Sequence, residues 1–167
     1  MDLLRGWSAM LARNGWRSQP SPRRGFTLVE AAHDFSHGPV VVVIDDSPHS
    51  FQLFRSAADE AMARSRDLIV LDLGSVSLSS RIDDELGEAA TREHSAIRAV
   101  WANPHVKVVR VKPVEVAMGS VLRYCERLAP SLLVLSALQL DLEALDAVLV
   151  QRIFGSGFDV LIMTGDR

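Results

Sequence analysis

Apolar and polar positions alternate in two distinct ways between residue 40 and the end of the chain. Five short runs are rich in Val, Leu and Ile, and they cover residues 40–45, 68–73, 106–112, 132–136 and 160–163. Four of them are nearly unbroken in apolar residues, which is typical of strands that are buried on both faces of a parallel sheet. The pattern therefore predicts five buried strands.

Segments of helical periodicity lie between these runs. Their apolar positions recur at intervals of three and four residues, as they do on one face of a helix. The four predicted stripes are Phe51, Phe54, Ala58, Ala61 and Met62; Leu86, Ala90, Ile97 and Trp101; Ala117, Val121, Cys125 and Leu128; and Leu142, Leu145, Leu149 and Ile153. This alternation predicts a doubly wound α/β sheet, because right-handed crossovers place helices on both of its faces.

The first 37 residues follow another pattern. Leu3, Leu4, Trp7, Met10 and Leu11 have helical spacing, which predicts a short amphipathic helix that packs on its own domain or on a second subunit. Residues 19–25, QPSPRRG, hold two prolines and a glycine and are predicted to be a linker. We expect an N-terminal helical and linker extension over residues 1–37 and an α/β domain over residues 38–167.

Composition narrows the class of protein. A chain of 167 residues that is 48% hydrophobic is long enough for one core. The only cysteine, Cys125, lies on the third apolar stripe, and we interpret it as a core residue rather than a nucleophile. No disulfide can form within the chain and no Cys/His spacing resembles a zinc site, so we expect no metal and a reducing, cytoplasmic environment.

The charge distribution argues against two classes of partner. Residues 1–25 hold five arginines and one aspartate, whereas the whole chain has a net charge of -3. Nucleic-acid binders carry a basic stripe on the folded surface, so a basic excess confined to a predicted extension does not favour nucleic acid. No apolar segment approaches the roughly 18 residues of a membrane span, so we expect no membrane partner either.

An acidic corner, VVVVIDDSPHS, follows the first predicted strand. Ligands of open parallel sheets lie beyond the carboxyl ends of the strands, where the strand order reverses, and Asp45, Asp46 and Ser47 belong at such a point. Two interpretations stay open. Ser47 can cap a helix that begins at Pro48, or these residues can line a ligand crevice. Asp45 in particular needs a hydrogen-bond partner or a ligand, because it ends a buried strand.

Three stretches of the chain resemble the universal stress protein family. VVVVIDDSPHSFQLFRSAADEAMARSRDLIVLDLG is similar to its opening strand, helix and second strand, HVKVVRVKPVEVAMGSVLRYCERLAPSLLVLSA to its third strand, helix and fourth strand, and QRIFGSGFDVLIM to its last helix and strand. The resemblance implies a Rossmann-like, adenine nucleotide alpha hydrolase-like sheet of five parallel strands in the order 3-2-1-4-5. It also implies a homodimer, and it places Asp45 and Ser47 against the adenosine part of a nucleotide.

The chain departs from the family where phosphates would bind. Nucleotide-binding members carry Gly-x-x-Gly, nine residues and Gly-Ser or Gly-Thr after the fourth strand, whereas this chain reads SALQLDLEALDAVLVQRIFGSG. Carboxylates stand where bare backbone amides would contact phosphates, so bound ATP is disfavoured and no cofactor is expected. We interpret Gly155 as a helix C-cap and Asp141 as a helix N-cap. The residues predicted to line the crevice are Asp45, Asp46, Ser47, Asp72, Ser136 and Ala137.

Two other families share fragments of this sequence. IDDSP, LIVLDL and VKPV resemble parts of response-regulator receiver domains, in which Asp45, Asp46 and Asp72 would be the acidic residues. Lys112 then stands two strands away from the first strand, too far for the phosphoryl group. DLIVLDLGSVSLSS resembles anti-sigma-factor antagonists, but Arg81 follows Ser79 and Ser80 where a glycine is needed. The five histidines are scattered and no Gly-x-Ser-x-Gly elbow occurs, so no catalytic residue is predicted.

The last predicted strand offers a surface for self-association. At the edge of the implied five-stranded sheet, Val160, Leu161, Ile162 and Met163 would expose an apolar ribbon, which pairing with a second copy covers. We therefore expect a homodimer through these four residues, and an unidentified protein partner besides. The hypothesis is a non-enzymatic, dimeric regulatory or scaffolding module with a degenerate nucleotide crevice. The alternative is an ATP- or AMP-binding protein with a non-standard phosphate site.

Overall fold

One mixed sheet organises the chain. The computed structural model describes residues 9, 11–13, 15–31, 37–74, 106–111, 118–140, 151–153, 155 and 157–164. Its strands are β1 (Arg17–Pro20), β2 (Phe26–Glu30), β3 (Val40–Ile44), β4 (Leu68–Asp72), β5 (Val108–Val111), β6 (Leu132–Ser136) and β7 (Asp159–Met163). Their order in the sheet is β1-β2-β7-β6-β3-β4-β5.

The predicted α/β class and all five predicted strands are confirmed, with ends that differ by at most two residues. The strands from β3 to β7 are parallel and, counted among themselves, lie in the order 3-2-1-4-5. The predicted count of five strands is wrong, because β1 and β2 extend the sheet to seven.

The first and third predicted helices lie on the sheet as expected, whereas the short helix that directly follows β6 was not predicted. Helix α1 spans Ser50–Arg64, α2 spans Met118–Leu128 and the short α3 spans Ala137–Leu140. The second predicted stripe, and Leu142, Leu145 and Leu149 of the fourth, lie outside the described residues, whereas Ile153 is helical and buried. In the described part of the chain, no helix is long and apolar enough to cross a membrane.

Both faces of the sheet are apolar, since successive side chains of a strand point to opposite faces. On β3, Val40, Val42 and Ile44 pack with the buried face of α1, whereas Val41 and Val43 pack with α2. All five are fully buried, which agrees with an unbroken apolar run in a central parallel strand. Cys125 lies on α2 and belongs to the core cluster on that face of the sheet, as predicted. Burial, and to a smaller extent the charge of Glu126, raises the pKa of its thiol to about 12.

An N-terminal hairpin accounts for the two additional strands. The interpretation of residues 19–25 as a linker is wrong: Gln19 and Pro20 end β1, and the next five residues turn the chain into β2. Gly25 has φ of 78°, a left-handed conformation that favours glycine, and the Ser21 hydroxyl accepts a hydrogen bond from the Arg23 amide at 3.1 Å. Pro20 fits because β1 is an edge strand, where a missing N–H is tolerated.

The hairpin closes the edge that was predicted to face a second subunit. β2 pairs antiparallel with β7, from Phe26 opposite Met163 to Val29 opposite Val160. This pairing corrects the prediction that a second subunit pairs with Val160, Leu161, Ile162 and Met163. A strand of the same chain already occupies the hydrogen-bonding positions of β7.

Side chains hold the hairpin in place from both faces and both ends. Phe26 is buried in the cluster beside α1 and Val29 in the cluster beside α2. The Arg23 guanidinium lies 3.1 Å from the Asp59 carboxylate and 3.4 Å from that of Glu60, both on α1. At the other end, the Ala31 amide donates to the Asp159 carboxylate at 2.9 Å. The hairpin is thus an integral part of the sheet.

The described residues include part of the predicted N-terminal helix and one of the two predicted helix caps. Residues 11–13 are helical and Leu11 is buried beside α2, so this part of the helix packs on its own chain. Gly155 is helical, and Gly157 has the left-handed φ of 88°, so the interpretation of Gly155 as the C-cap is wrong. Asp141 lies outside the described residues.

Candidate functional site

The chain leaves β3 through a tight turn at the predicted crevice. Helix α1 begins at Ser50 with His49 as its N-cap, so the prediction that Ser47 caps a helix starting at Pro48 is wrong. The Asp45 carboxylate accepts the Ser47 amide at 2.9 Å, which forms an aspartate-stabilised turn. This turn takes the chain from the buried strand to the helix without a conventional cap.

Ser50 ties the end of β3 to the start of α1. Its hydroxyl accepts the Asp45 amide at 2.9 Å and lies within donating distance of the Asp45 carbonyl, at 2.8 Å, and of the Asp45 carboxylate, at 3.1 Å. Ser50 itself is buried, at 1% exposure. The carboxylate that the sequence left in need of a partner therefore has partners on its own turn.

Gln139, which follows the neighbouring strand β6, is a further partner of Asp45. Its side-chain amide nitrogen donates to the Val43 carbonyl at 3.0 Å and to the Asp45 carboxylate at 3.2 Å. β3 and β6 are adjacent parallel strands, and Gln139 lies just after the end of β6. One side chain thus spans the gap between the two strand ends, at the place where the strand order reverses and ligands of such sheets usually bind.

Gln139 was not predicted as a site residue, although the sequence holds a signal for it. Ser136 and Gln139 form a capping box: the Ser136 hydroxyl accepts the Gln139 amide at 3.1 Å, and the Gln139 side-chain oxygen accepts the Ser136 amide at 2.9 Å. Ser-x-x-Gln at the end of an apolar strand predicts this box. The box leaves the Gln139 amide nitrogen free to reach β3, which sequence spacing alone does not indicate.

The hydrogen bonds around Asp45 favour its charged form over its protonated form. Burial tends to raise its pKa, whereas hydrogen bonds from Ser47, Gln139 and Ser50 lower it, and together these bonds hold the pKa of Asp45 below its ordinary value. Asp45 is half-buried and carries its charge among donors of the protein itself.

The other predicted crevice residues are placed differently. Asp72 lies opposite Ile44 in the ladder and is fully buried, and its carboxylate accepts the Gly74 amide at 2.9 Å. Asp46 is exposed and Ala137 is half-buried at the start of α3. Asp45 is brought together with Ser47, by a direct hydrogen bond, and with Ser136, through their shared partner Gln139. In the described ranges, no group of three or more His, Cys, Asp or Glu side chains could hold a metal ion.

The arrangement is that of a closed polar cluster. The strand-end carbonyl, the carboxylate and the capping amide that line this edge are all engaged by Gln139. A ligand that hydrogen-bonds to Asp45 or to the Val43 carbonyl competes with this side chain for the same acceptor groups. The region expected to hold phosphates, residues 141–150, lies outside the described residues.

Comparisons with known proteins return solved structures of universal stress proteins, the family that the sequence resembles. One, from Archaeoglobus fulgidus in complex with dAMP, is 15% identical, with 77% of this chain and 99% of that chain covered and a TM-score of 0.46. A second, in complex with cAMP, is 19% identical, with 75% and 96% covered and a TM-score of 0.44. A third, also from Archaeoglobus fulgidus, is 18% identical, with 60% and 76% covered and a TM-score of 0.39.

No protein-family profile and no curated protein matches the chain. The bound nucleotides belong to those solved structures, and similarity at this level carries no argument about what this chain binds.

Proposed function

We propose that this chain is a universal-stress-protein-like regulatory module, without enzymatic turnover, whose crevice is filled by its own side chains. The single observation that carries this proposal is the contact of the Gln139 amide with both the Val43 carbonyl and the Asp45 carboxylate. Of these two groups, Asp45 is the one that the family resemblance would place against the adenosine part of a nucleotide. A nucleotide would have to compete with Gln139 for these acceptors, which lowers what it gains from binding there.

The state of Asp45 supports the absence of turnover. General bases work best when their pKa lies near the pH at which the enzyme operates. The pKa of Asp45 is held below its ordinary value by donors on three residues, which weakens it as a base. Asp72 is buried and bonded to the Gly74 amide, so it does not supply a second accessible carboxylate.

The test is a thermal-shift titration of the full chain with ATP, AMP and adenosine, with and without magnesium. A ligand with a dissociation constant of about 1 µM, present at about 1 mM, would stabilise the fold by about 4 kcal/mol. We expect no such stabilisation. The alternative is a nucleotide-binding protein with a non-standard phosphate site. It would be established if micromolar ATP stabilised the fold, if Asp45→Ala abolished this stabilisation and if Asp59→Ala preserved it. Asp59 is the matched control because it lies on α1, paired with Arg23.

The proposed setting is the cytoplasm and the proposed mode of action is contact with another protein or a second copy. A single cysteine buried in the core suits a reducing compartment. Self-association stays a prediction, and the pairing of β2 with β7 means that it requires a surface other than the β7 edge.

A further inference from the structure

A second pocket lies at the opposite end of the sheet from the crevice. It has a volume of about 310 Å³ and is formed where the chain enters β3, β4 and β5, since Pro39, Asp67 and Lys107 each precede one of these strands. We call it the basic pocket, because His37, Arg66 and Lys107 line it from three separate connections. Its volume is at the lower end of the range for small-molecule sites.

We propose that the basic pocket binds a small phosphomonoester, with the phosphate between Arg66 and Lys107 and the apolar part on Ile69 and Val109. Arginine matches the geometry of phosphate with paired N–H groups, and lysine adds a compact positive charge. Ser65, an exposed hydroxyl on the same lining, is a further donor. Ile69 and Val109 are only half-buried, and they give the pocket an apolar wall.

The basic side chains are not needed to complete helix α1. The last carbonyls of α1 are already bonded by backbone amides: the Ser65 amide donates to Met62 at 3.2 Å and the Arg66 amide to Ala61 at 2.9 Å. The Arg66 guanidinium instead lies 3.3 Å from Nδ1 of His37, which also lines the pocket. Among the described residues, no carboxylate forms an ion pair with Arg66 or Lys107.

Asp67 is the acidic residue among those described on the pocket lining. Its carboxylate accepts the Lys107 backbone amide at 3.2 Å, which joins the start of β4 to the start of β5. This hydrogen bond does not remove the negative charge of Asp67, so the lining holds the two positive charges of Arg66 and Lys107 and one negative charge. Within the described part of the chain, neither basic side chain is held in an ion pair. The pocket thus combines a net positive charge with an apolar wall, which suits a phosphomonoester with a small organic group.

The experiment is an NMR titration of the ¹⁵N-labelled full chain with phenyl phosphate, inorganic phosphate and phenol. We expect saturable shifts of the Ser65, Arg66 and Lys107 amides with phenyl phosphate, weaker binding of inorganic phosphate and no shift with phenol. Arg66→Gln and Lys107→Gln should each weaken phenyl phosphate binding by about tenfold, since each removes a charge-assisted contact. Arg64→Gln should leave the affinity unchanged, because Arg64 lies on the same helix end, pairs with Glu60 and is outside the lining.

Three results would overturn the proposal: no saturable shift at these amides, an equal loss of affinity in Arg64→Gln, or equal binding of phosphate and phenyl phosphate. The first indicates that no site exists, the second that binding follows general charge, and the third that Ile69 and Val109 take no part. Shifts confined to Asp45, Ser47 and Ser136 would instead contradict the filled crevice and the basic pocket together. A loss of all binding in a variant is counted only where its unfolding midpoint matches that of the unmodified chain.

Discussion

Gln139 has more influence on the candidate site than any residue that the sequence pattern selected. It satisfies a strand-end carbonyl, a carboxylate and a backbone amide at the same time. Buried polar groups that lose their partners cost about 1 to 3 kcal/mol each, so one side chain here prevents several such penalties.

Replacement of Gln139 by alanine should therefore lower the free energy of unfolding by about 2 kcal/mol or more. The matched control is Gln19→Ala, which removes an exposed hydrogen bond to Glu30 at 3.1 Å. An exposed contact of that kind is worth about 0.5 kcal/mol or less. Urea unfolding of both variants measures the difference, and equal losses would contradict the structural role of Gln139.

Asp45 should make the stability of the protein depend on pH at acidic values. Its pKa is lower in the folded state, so the stabilisation is fully present above its ordinary pKa of about 3.9 and is lost as the pH falls through the folded value. Asp45→Asn should flatten this part of the curve of unfolding free energy against pH. A curve of unchanged slope in the variant would show that the Asp45 contacts do not favour its charged form.

At the scale of elements, the five parallel strands and helices α1 and α2 follow from the sequence pattern, whereas the hairpin and the short helix α3 do not. An unbroken apolar run needs burial on both faces, and β3, β4, β6 and β7 have it. The hairpin was missed because its turn is rich in proline and arginine and its strands are short. β2 is stabilised by pairing with β7, a contact between the two ends of the chain that no local pattern reveals.

The orientation of the β2 backbone gives a sharp test of the hairpin. The Ser21 amide donates to the Phe26 carbonyl, so Ser21, which directly follows β1, is hydrogen-bonded to Phe26 of β2. Backbone N–H groups alternate in direction along a strand. The Thr27 amide therefore points towards β7, and the Ser18 amide points away from the sheet. Thr27→Pro should lower the unfolding free energy by about 3 kcal/mol, because it removes a ladder bond within the sheet. Ser18→Pro should change it much less, and equal effects in thermal or urea unfolding would contradict this pairing.

The connections at the amino ends of the strands are packed closely enough to require glycine. A Cβ atom at Gly38 would overlap the Ala129 carbonyl, which lies in the connection between α2 and β6. Gly38→Ala should cost about 1 to 3 kcal/mol through overpacking. Gly119→Ala is the control, because nothing lies within 4 Å of its added Cβ and alanine favours the helix. A Gly38→Ala variant as stable as the unmodified chain would disprove the close approach.

In the whole molecule, the strand at one edge of the sheet is not the one that the sequence predicts. The sequence placed β7 at an edge, and the structure gives that position to β1, whose exposed residues include Arg17 and Pro20. Charged residues and proline on an edge strand discourage pairing with other chains. The hairpin therefore replaces an apolar edge with one that is less prone to association.

A chain that lacks residues 1–31 should associate as a result. Without β2, the apolar strand β7 loses its antiparallel partner and the buried side chains of Phe26 and Val29 no longer cover the core. Light scattering should give a larger mass for the truncated chain than for the full chain at equal concentration. The same measurement on the full chain tests the predicted homodimer, and a truncated chain of unchanged mass would contradict the protective role of the hairpin.

The pairing of β2 with β7 also bears on how the protein is made. β2 is synthesised before β3 to β6 and β7 after them, so β2 has no partner strand in the α/β part of the chain until that part has been made. Contacts between residues distant in sequence slow folding, because the intervening chain must be ordered before they form. The complete sheet therefore forms only after β7 has left the ribosome.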